Sequence, residues 1–251
     1  MFDIVKLYYH KLGSPKYFYE LTDKMLPWLI GITVILLVPG VVMGLGFAPM
    51  DEEQGHSYRI MFIHVPAASV AMSAYVMMAV AGAISLIWKM KMAEVITKCC
   101  APIGASFALL CLVTGAIWGK PTWGTWWVWD ARLTSMLVLF FLYVGVIALN
   151  SAIENAQSAA KATALLSIVG VVNLPIIKYS VDWWNTLHQT SSVKVTEGAA
   201  MPAEMLTPLL LCVFGFYFLF SVVIILAARG EVLQREQRSN WVKQRVIADG
   251  V

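Results

Sequence analysis

Charge is what this chain has least of. Asp, Glu, Lys and Arg make up 13% of its 251 residues against 59% hydrophobic residues, and the mean hydropathy is +0.73. A soluble domain carries about a quarter of its residues as charges, so that class is excluded. The net charge of +3 is spread in short blocks between apolar runs, which excludes a nucleic-acid partner. Cysteine is equally sparse. Cys99, Cys100, Cys111 and Cys212 lie inside or at the ends of apolar runs with no Cys-x-x-Cys, and read as small apolar packers rather than redox thiols. There is no nucleotide-binding loop and no nucleophile with a base at suggestive spacing, so no enzyme is expected. A cleavable signal peptide is not expected either, because the first apolar run follows a polar tail of about two dozen residues, is long enough to span and lacks an A-x-A-like site.

Apolar runs of spanning length are abundant. A bilayer core of about 30 Å takes about 20 helical residues. Five charge-free runs meet that length, and a sixth, 162–177, is short by about a turn and continues toward Trp183 with Lys178 snorkelling to the headgroups. The prediction is an all-α integral membrane protein, a single domain over 1–251 with six transmembrane helices at 26–47, 65–88, 99–118, 133–150, 162–182 and 206–228. Pro27, Pro66, Pro102 and Pro208 fall in or near first turns, where a missing N–H costs little. Pro39-Gly40 and Pro175 lie deeper and predict kinks in the first and fifth helices. Ala67, Ala71 and Ala79 around Tyr75 predict close packing of the second helix.

Lys and Arg set the orientation. Thirteen of the 18 lie in the N-terminal tail, the second and fourth loops and the C-terminal tail, while Arg59, Lys120, Arg132, Lys178 and Lys194 lie at the opposite ends. The positive-inside rule then makes both termini cytoplasmic, with a cytoplasmic tail at 229–251 that can lie on the inner surface as a basic helix through Val232, Leu233 and Trp241. Loops 48–64, 119–132 and 178–205 fall outside.

The tryptophans are not distributed like a membrane belt. Five of the ten, Trp118, Trp123, Trp126, Trp127 and Trp129, fall within 118–132, and Trp183 and Trp184 bring the outer face to seven. A belt populates both interfaces. The two glycines and one proline of 118–132 argue against a regular helix there, so it reads as an aromatic surface at the membrane edge.

Of four histidines, His10 lies in the cytoplasmic tail and His56, His64 and His188 lie outside. His64 directly precedes the second helix and His188 follows the fifth by about one turn. Two neutral imidazoles on rigid ends over an aromatic floor suit the axial positions of a haem iron. Equally, each suits a polar position in the headgroup zone, and spacing alone leaves both readings open. His56 beside Asp51, Glu52 and Glu53 is a weaker candidate for a hard-metal site. Asp130 is placed to cap the fourth helix. Arg132, a cation in that helix's first turn, opposes the helix dipole and calls for a compensating partner, either a bound carboxylate such as a haem propionate or a loop acid. Lys120, Lys178 and Arg59 are further external cations of the same kind.

Trp118-Gly and Trp123-Gly-Thr-Trp-Trp-Val-Trp-Asp-Ala-Arg-Leu-Thr-Ser resemble the signature of the WWD family of haem-handling membrane proteins. With Arg59-Ile-Met-Phe-Ile-His-Val-Pro-Ala-Ala before it and Asp182-Trp-Trp-Asn-Thr-Leu-His-Gln after it, the chain is similar over nearly its whole length to the haem exporter protein C branch of bacterial cytochrome c maturation. That resemblance implies haem b held as cargo at the periplasmic face of the inner membrane. The tryptophan-rich segment (Trp118, Trp123, Trp126, Trp127, Trp129, Asp130, Arg132) forms its wall, and His64 and His188 are the axial ligands. It also implies delivery to a periplasmic haem chaperone (CcmE type), beside ABC-transporter subunits (CcmA and CcmB types) and a small single-helix membrane protein (CcmD type). His56 is left without a role. Two other classes are weighed. A permease subunit needs polar groups near the midplane, and Asn173 beside Pro175 is the best candidate. An electron-transfer cytochrome b buries its ligand histidines within helices, and here none lies mid-span.

Overall fold

In the computed structural model, which describes residues 11, 13–188, 193–194, 198–199 and 201–248, six helical segments are long and apolar enough to cross a membrane: Pro15–Phe47, Ser57–Trp88, Lys91–Trp123, Ala131–Ala152, Ala156–Trp183 and Ala203–Arg235. Most run past the limits expected from the apolar runs. Charge marks where lipid ends, but the i→i−4 hydrogen bonds continue through Lys, Glu and Arg without penalty. Pro27, Pro66, Pro102 and Pro208, expected near first turns, therefore lie inside helices.

The first crossing is α1 (Pro15–Val41), capped by Ser14, whose hydroxyl accepts from the Tyr17 N–H. It does not simply kink at Pro39-Gly40 but widens into a π-helical turn over Val42–Phe47. Pro39 removes one ladder donor, and two glycines let the widened chain approach its neighbours. A Cβ on Gly40 would lie 2.9 Å from the Cys212 nitrogen, and one on Gly44 2.6 Å from the Phe62 ring. After a 3-10 turn at Ser57–Ile60 comes α2 (Met61–Trp88). His64 thus lies within the first turn of α2 rather than before it. Lys89, in the left-handed conformation, closes α2, and α3 (Lys91–Trp123) returns. Trp118–Trp123 belong to this helix, contrary to the expectation of irregular chain throughout 118–132. Pro121 is tolerated in the last turn, and Gly119 gives the Trp123 ring a seat, since a Cβ there would lie 3.1 Å from it. Only Gly124, with φ of 77°, ends the helix.

The fourth crossing is α4 (Ala131–Ala152). The fifth is two helices, α5 (Ala156–Gly170) and α6 (Asn173–Trp183), separated at Val171-Val172; the kink predicted at Pro175 is a break, because Pro175 cannot donate to the carbonyl four residues back. Asn173 donates from Nδ2 to the Ser135 carbonyl at 2.8 Å, holding the break against α4. A two-residue antiparallel pair, β1 (Val193–Lys194) and β2 (Gly198–Ala199), precedes α7 (Ala203–Arg235).

The most extensive helix pairing is α2 with α3; α4, α5 and α7 pack around that pair, and α1 rides on α7. Ala67, Ala71 and Ala79 of α2 are buried as the small-residue spacing predicted, and so is Ala74. Tyrosines fill the holes left by glycine. Tyr143 lies over Gly104 and donates to the Ala71 carbonyl at 2.7 Å, while Tyr75 fills the space at Gly170, donates to the Leu166 carbonyl at 3.3 Å and meets Tyr143 edge-on at 5.1 Å.

At the end bearing the termini, α8 (Asn240–Ala248) folds back on α1. Trp241 packs on Tyr19 at 5.8 Å, Arg229 stacks over the same ring at 3.9 Å, and Arg229 and Arg245 flank the Asp23 carboxylate at 2.8 and 2.9 Å. Val232 is buried in the same region. The tail expected to lie on the inner membrane surface through Val232, Leu233 and Trp241 also packs on the bundle through Trp241 and Arg245, because Tyr19 and Asp23 offer it aromatic and anionic partners. Lys6, His10 and 249–251 lie outside the described residues.

The tyrosine-over-glycine packing is directly testable. A Cβ on Gly104 would lie 2.2 Å from the Tyr143 ring, whereas one on Gly31 meets no heavy atom within 4 Å. Gly104→Ala should lower stability by about 1–3 kcal/mol, while Gly31→Ala should match or slightly exceed the parent. Thermal unfolding of both in the same detergent measures the contrast.

Candidate functional site

At the end of the bundle opposite the termini, the starts of α2 and α4 meet the ends of α3 and α6. The close approach of α2 to α3 places His64 beside the backbone of α3. Its Nδ1 lies 3.0 Å from the Cys111 carbonyl and 3.1 Å from Thr114 Oγ1. The Thr114 hydroxyl donates its own hydrogen to the Leu110 carbonyl at 2.6 Å. A carbonyl only accepts, so Nδ1 of His64 carries the ring hydrogen and Nε2 presents a lone pair. Gly115 provides the space, since a Cβ there would lie 3.0 Å from His64 Cε1. One turn further along α3, Trp118 meets the imidazole edge-on at 5.7 Å.

Trp118 is itself fixed by the acidic loop. The Asp51 carboxylate accepts from the Glu53 and Gln54 N–H groups at 3.1 and 2.8 Å, and Gln54 Oε1 accepts from Trp118 Nε1 at 2.8 Å. The loop thus orients a tryptophan. Among the described residues no three of His, Cys, Asp or Glu gather as a metal site. His56 starts the 3-10 turn, its carbonyl accepting from the Arg59 N–H at 3.2 Å.

His188 arrives from beyond α6 and comes close to His64, with ring centroids 6.5 Å apart and planes inclined by 31°; Trp123 lies 6.0 Å from it. Arg132 binds it from α4. The guanidinium places Nη1 3.2 Å from His188 Nδ1, donates from Nε to Ser180 Oγ at 3.1 Å and from Nη2 to the Lys178 carbonyl at 3.2 Å. This answers the electrostatic question that Arg132 posed. It opposes the dipole of α4 but lies toward the negative end of α6, where a cation is favoured, and the nearby carboxylates of Asp130 and Asp182 attract it.

Five predicted residues therefore converge: His64, Trp118, Trp123, Arg132 and His188. The others lie on the loop after α3. Trp126 and Trp129 are 56% and 77% exposed, and Trp127 meets Trp129 edge-on at 5.5 Å. The five tryptophans of 118–132 are thus two inward-facing rings on a helix and three on a loop. Asp130 caps α4 as expected, accepting from the Leu133 N–H at 2.8 Å. Its second oxygen and Trp127 Nε1 are buried with no partner among the described residues. The remaining cations also close helix ends: Lys120 donates to the Gly124 carbonyl at 3.0 Å, and Arg59 to the Leu45 and Ala48 carbonyls. Cys111, Thr114, Gly115, Gln54 and Ser180 escaped the sequence reading. The visible signal was Cys111-x-x-Thr-Gly one helical turn below Trp118, a small polar face inside an apolar run.

The comparison with known proteins bears on this constellation. The family profile CcmC, heme exporter protein C, matches residues 8–243. This chain belongs to the heme exporter protein C family. Curated family relatives include heme exporter protein C of Escherichia coli K12, 49% identical over 96% of this chain and 97% of the relative, and that of Bradyrhizobium diazoefficiens, 47% identical over 93% and 88%. A putative cytochrome c biosynthesis ccmC-like mitochondrial protein of Marchantia polymorpha is 40% identical over 90% and 96%. The family match spans every residue of the site.

Asp130 separates helix capping from any contact with cargo. Asp130→Ala should lower stability by about 1 kcal/mol through loss of the cap, and Asp130→Asn, which keeps an accepting oxygen, should restore it. Equilibrium unfolding of both variants without ligand tests this.

Proposed function

We propose that this chain carries haem during c-type cytochrome maturation. It binds haem b at the periplasmic face of the inner membrane between His64 and His188 and hands it to a periplasmic haem chaperone. The observation that carries this reading is the 6.5 Å between the two imidazole centroids. With metal–nitrogen bonds of about 2.0 Å and roughly 1.2 Å from each nitrogen to its ring centre, one metal ion between two opposed imidazoles holds their centroids about 6.4 Å apart. The Nε2 lone pair of His64, the Trp118 and Trp123 rings and the cation Arg132 supply the ligand, the apolar walls and a carboxylate partner that haem requires. The relatives' names, heme exporter and cytochrome c biosynthesis protein, support the same cargo and pathway.

The Lys and Arg count supports a site on the outer face, with both termini and 229–251 inside. The 119–132 segment then faces the periplasm, with Trp126 and Trp129 exposed for contact with the chaperone. The chain acts as a carrier rather than an enzyme: covalent chemistry on haem belongs to the chaperone, and ATP hydrolysis to an ABC-type complex with which this chain and a small single-helix protein associate. A permease reading is disfavoured by Asn173, its best midplane candidate, whose amide is engaged with the Ser135 carbonyl.

Purified in detergent, the protein should retain haem with a six-coordinate low-spin spectrum. His64→Ala with His188→Ala should lose most of that haem, measured as haem per polypeptide. Wild-type content and spectrum in the double variant would overturn the ligand assignment.

A further inference from the structure

The two histidines are not prepared alike. His64 is ready to bind a metal: its Nδ1–H is committed to the Cys111 carbonyl, the Thr114 hydroxyl turns its hydrogen to the Leu110 and Cys111 carbonyls and so can only accept from the imidazole, and Gly115 seats the ring. His188 is not. A guanidinium only donates, so the 3.2 Å contact with Arg132 Nη1 occupies the Nδ1 lone pair of His188 and leaves the ring hydrogen on Nε2. One nitrogen has its lone pair engaged and the other carries a hydrogen. As it stands, His188 offers iron nothing.

Arg132 can be drawn away. Its three hydrogen-bond partners, His188 Nδ1, Ser180 Oγ and the Lys178 carbonyl, are all neutral; the Asp130 and Asp182 carboxylates attract the guanidinium from nearby, but among the described residues neither is close enough to form an ion pair with it. A carboxylate makes charge-assisted, bidentate bonds to guanidinium that are roughly twice as strong as bonds to neutral acceptors.

We propose that Arg132 makes the second axial bond conditional on the cargo's carboxylates, so that the site selects porphyrins with free propionates. This rests on the reading of His64 and His188 as an axial pair and adds an order to it. Iron binds His64 Nε2 first. A propionate then takes the Arg132 guanidinium, breaking the Nη1–H···Nδ1 bond. The imidazole, released from Arg132, redistributes its single hydrogen between its nitrogens through water, and the unprotonated one bonds the iron. No electron changes hands and the ring keeps one hydrogen throughout. Arg132 is a positioning residue, acting on iron only through His188.

The test compares haemin with haemin dimethyl ester, which keeps the iron and the macrocycle but lacks the carboxylates. Both are added to the full-length, haem-depleted protein in detergent. Wild type should give a six-coordinate low-spin spectrum with haemin and a five-coordinate one with the ester. Arg132→Ala should give six-coordinate spectra with both. In the cargo-free protein, imidazole 15N NMR should show His188 protonated on Nε2 in wild type, with a changed balance in Arg132→Ala. A six-coordinate spectrum of wild type with the ester overturns the proposal, and that arm needs no variant. So does a five-coordinate ester complex of folded Arg132→Ala. If the haemin spectrum of wild type is insensitive to His64→Ala and His188→Ala, the axial-pair reading itself fails, an outcome distinguishable from either of these.

Discussion

The close packing of α2 against α3 is the contact on which the rest of the molecule depends. The buried alanines at 67, 71, 74 and 79 put nothing larger than a methyl group at those positions of α2, and in lipid close helix approach is favoured by dispersion rather than by release of water. Its local consequence is chemical. It brings the His64 ring against the α3 backbone at Cys111, so a packing decision along the helix fixes an imidazole tautomer at its end. Tyr143 extends the same logic, because the hole at Gly104 lets its hydroxyl reach the Ala71 carbonyl and lock α4 to the pair.

A second theme is the use of helix ends. Arg59 and Lys120 donate to carbonyls at helix C-terminal ends, where orphan acceptors and the negative end of the dipole coincide, and Arg132 donates to the Lys178 carbonyl in the second half of α6. Such cations organise the loops that carry the tryptophans. Arg132 alone also reaches a histidine, because α4 begins where α6 finishes. Its position therefore follows from the break at Val171-Val172: the break lets α6 take its own direction over α4, and Asn173 fixes that direction through Ser135.

Much of this was legible in the sequence, and the failures share a cause. Hydropathy registers lipid, so six crossings were countable, but the helix ends at Lys91, Trp123 and Arg235 were not, since a helix leaves the membrane without any change in its hydrogen bonding. Pro121 and Gly119 suggested irregular chain, yet both lie in the last turns of α3, where few ladder bonds remain to be lost and the Trp123 ring needs the space. His64, His188, Trp118, Trp123 and Arg132 were identifiable by residue type. Their supports were not: Gln54, Thr114 and Ser180 are ordinary polar residues whose meaning comes only from the residue across the gap. The docking of the C-terminal helix was missed for the same reason, since nothing local announces that Tyr19 and Asp23 wait for it.

The bundle interior completes the case for a fixed scaffold with its chemistry at one end. Each notable polar group within it is spent on the protein itself. Ser69 and Ser73 share the Tyr217 hydroxyl at 2.8 and 2.7 Å, Tyr75 and Tyr143 donate to backbone carbonyls, and Asn173 does likewise. A pathway across the membrane would require such groups to exchange partners with a passing solute, at the cost of leaving donors unpaired in lipid. Among the described residues the buried side-chain polar atoms that make no hydrogen bond are Trp127 Nε1 and Asp130 Oδ2 in the loop after α3, Arg59 Nε in the turn before α2 and Arg245 Nε in α8. Three of these four lie at the end that bears the two histidines, and the helices beneath hold that surface still.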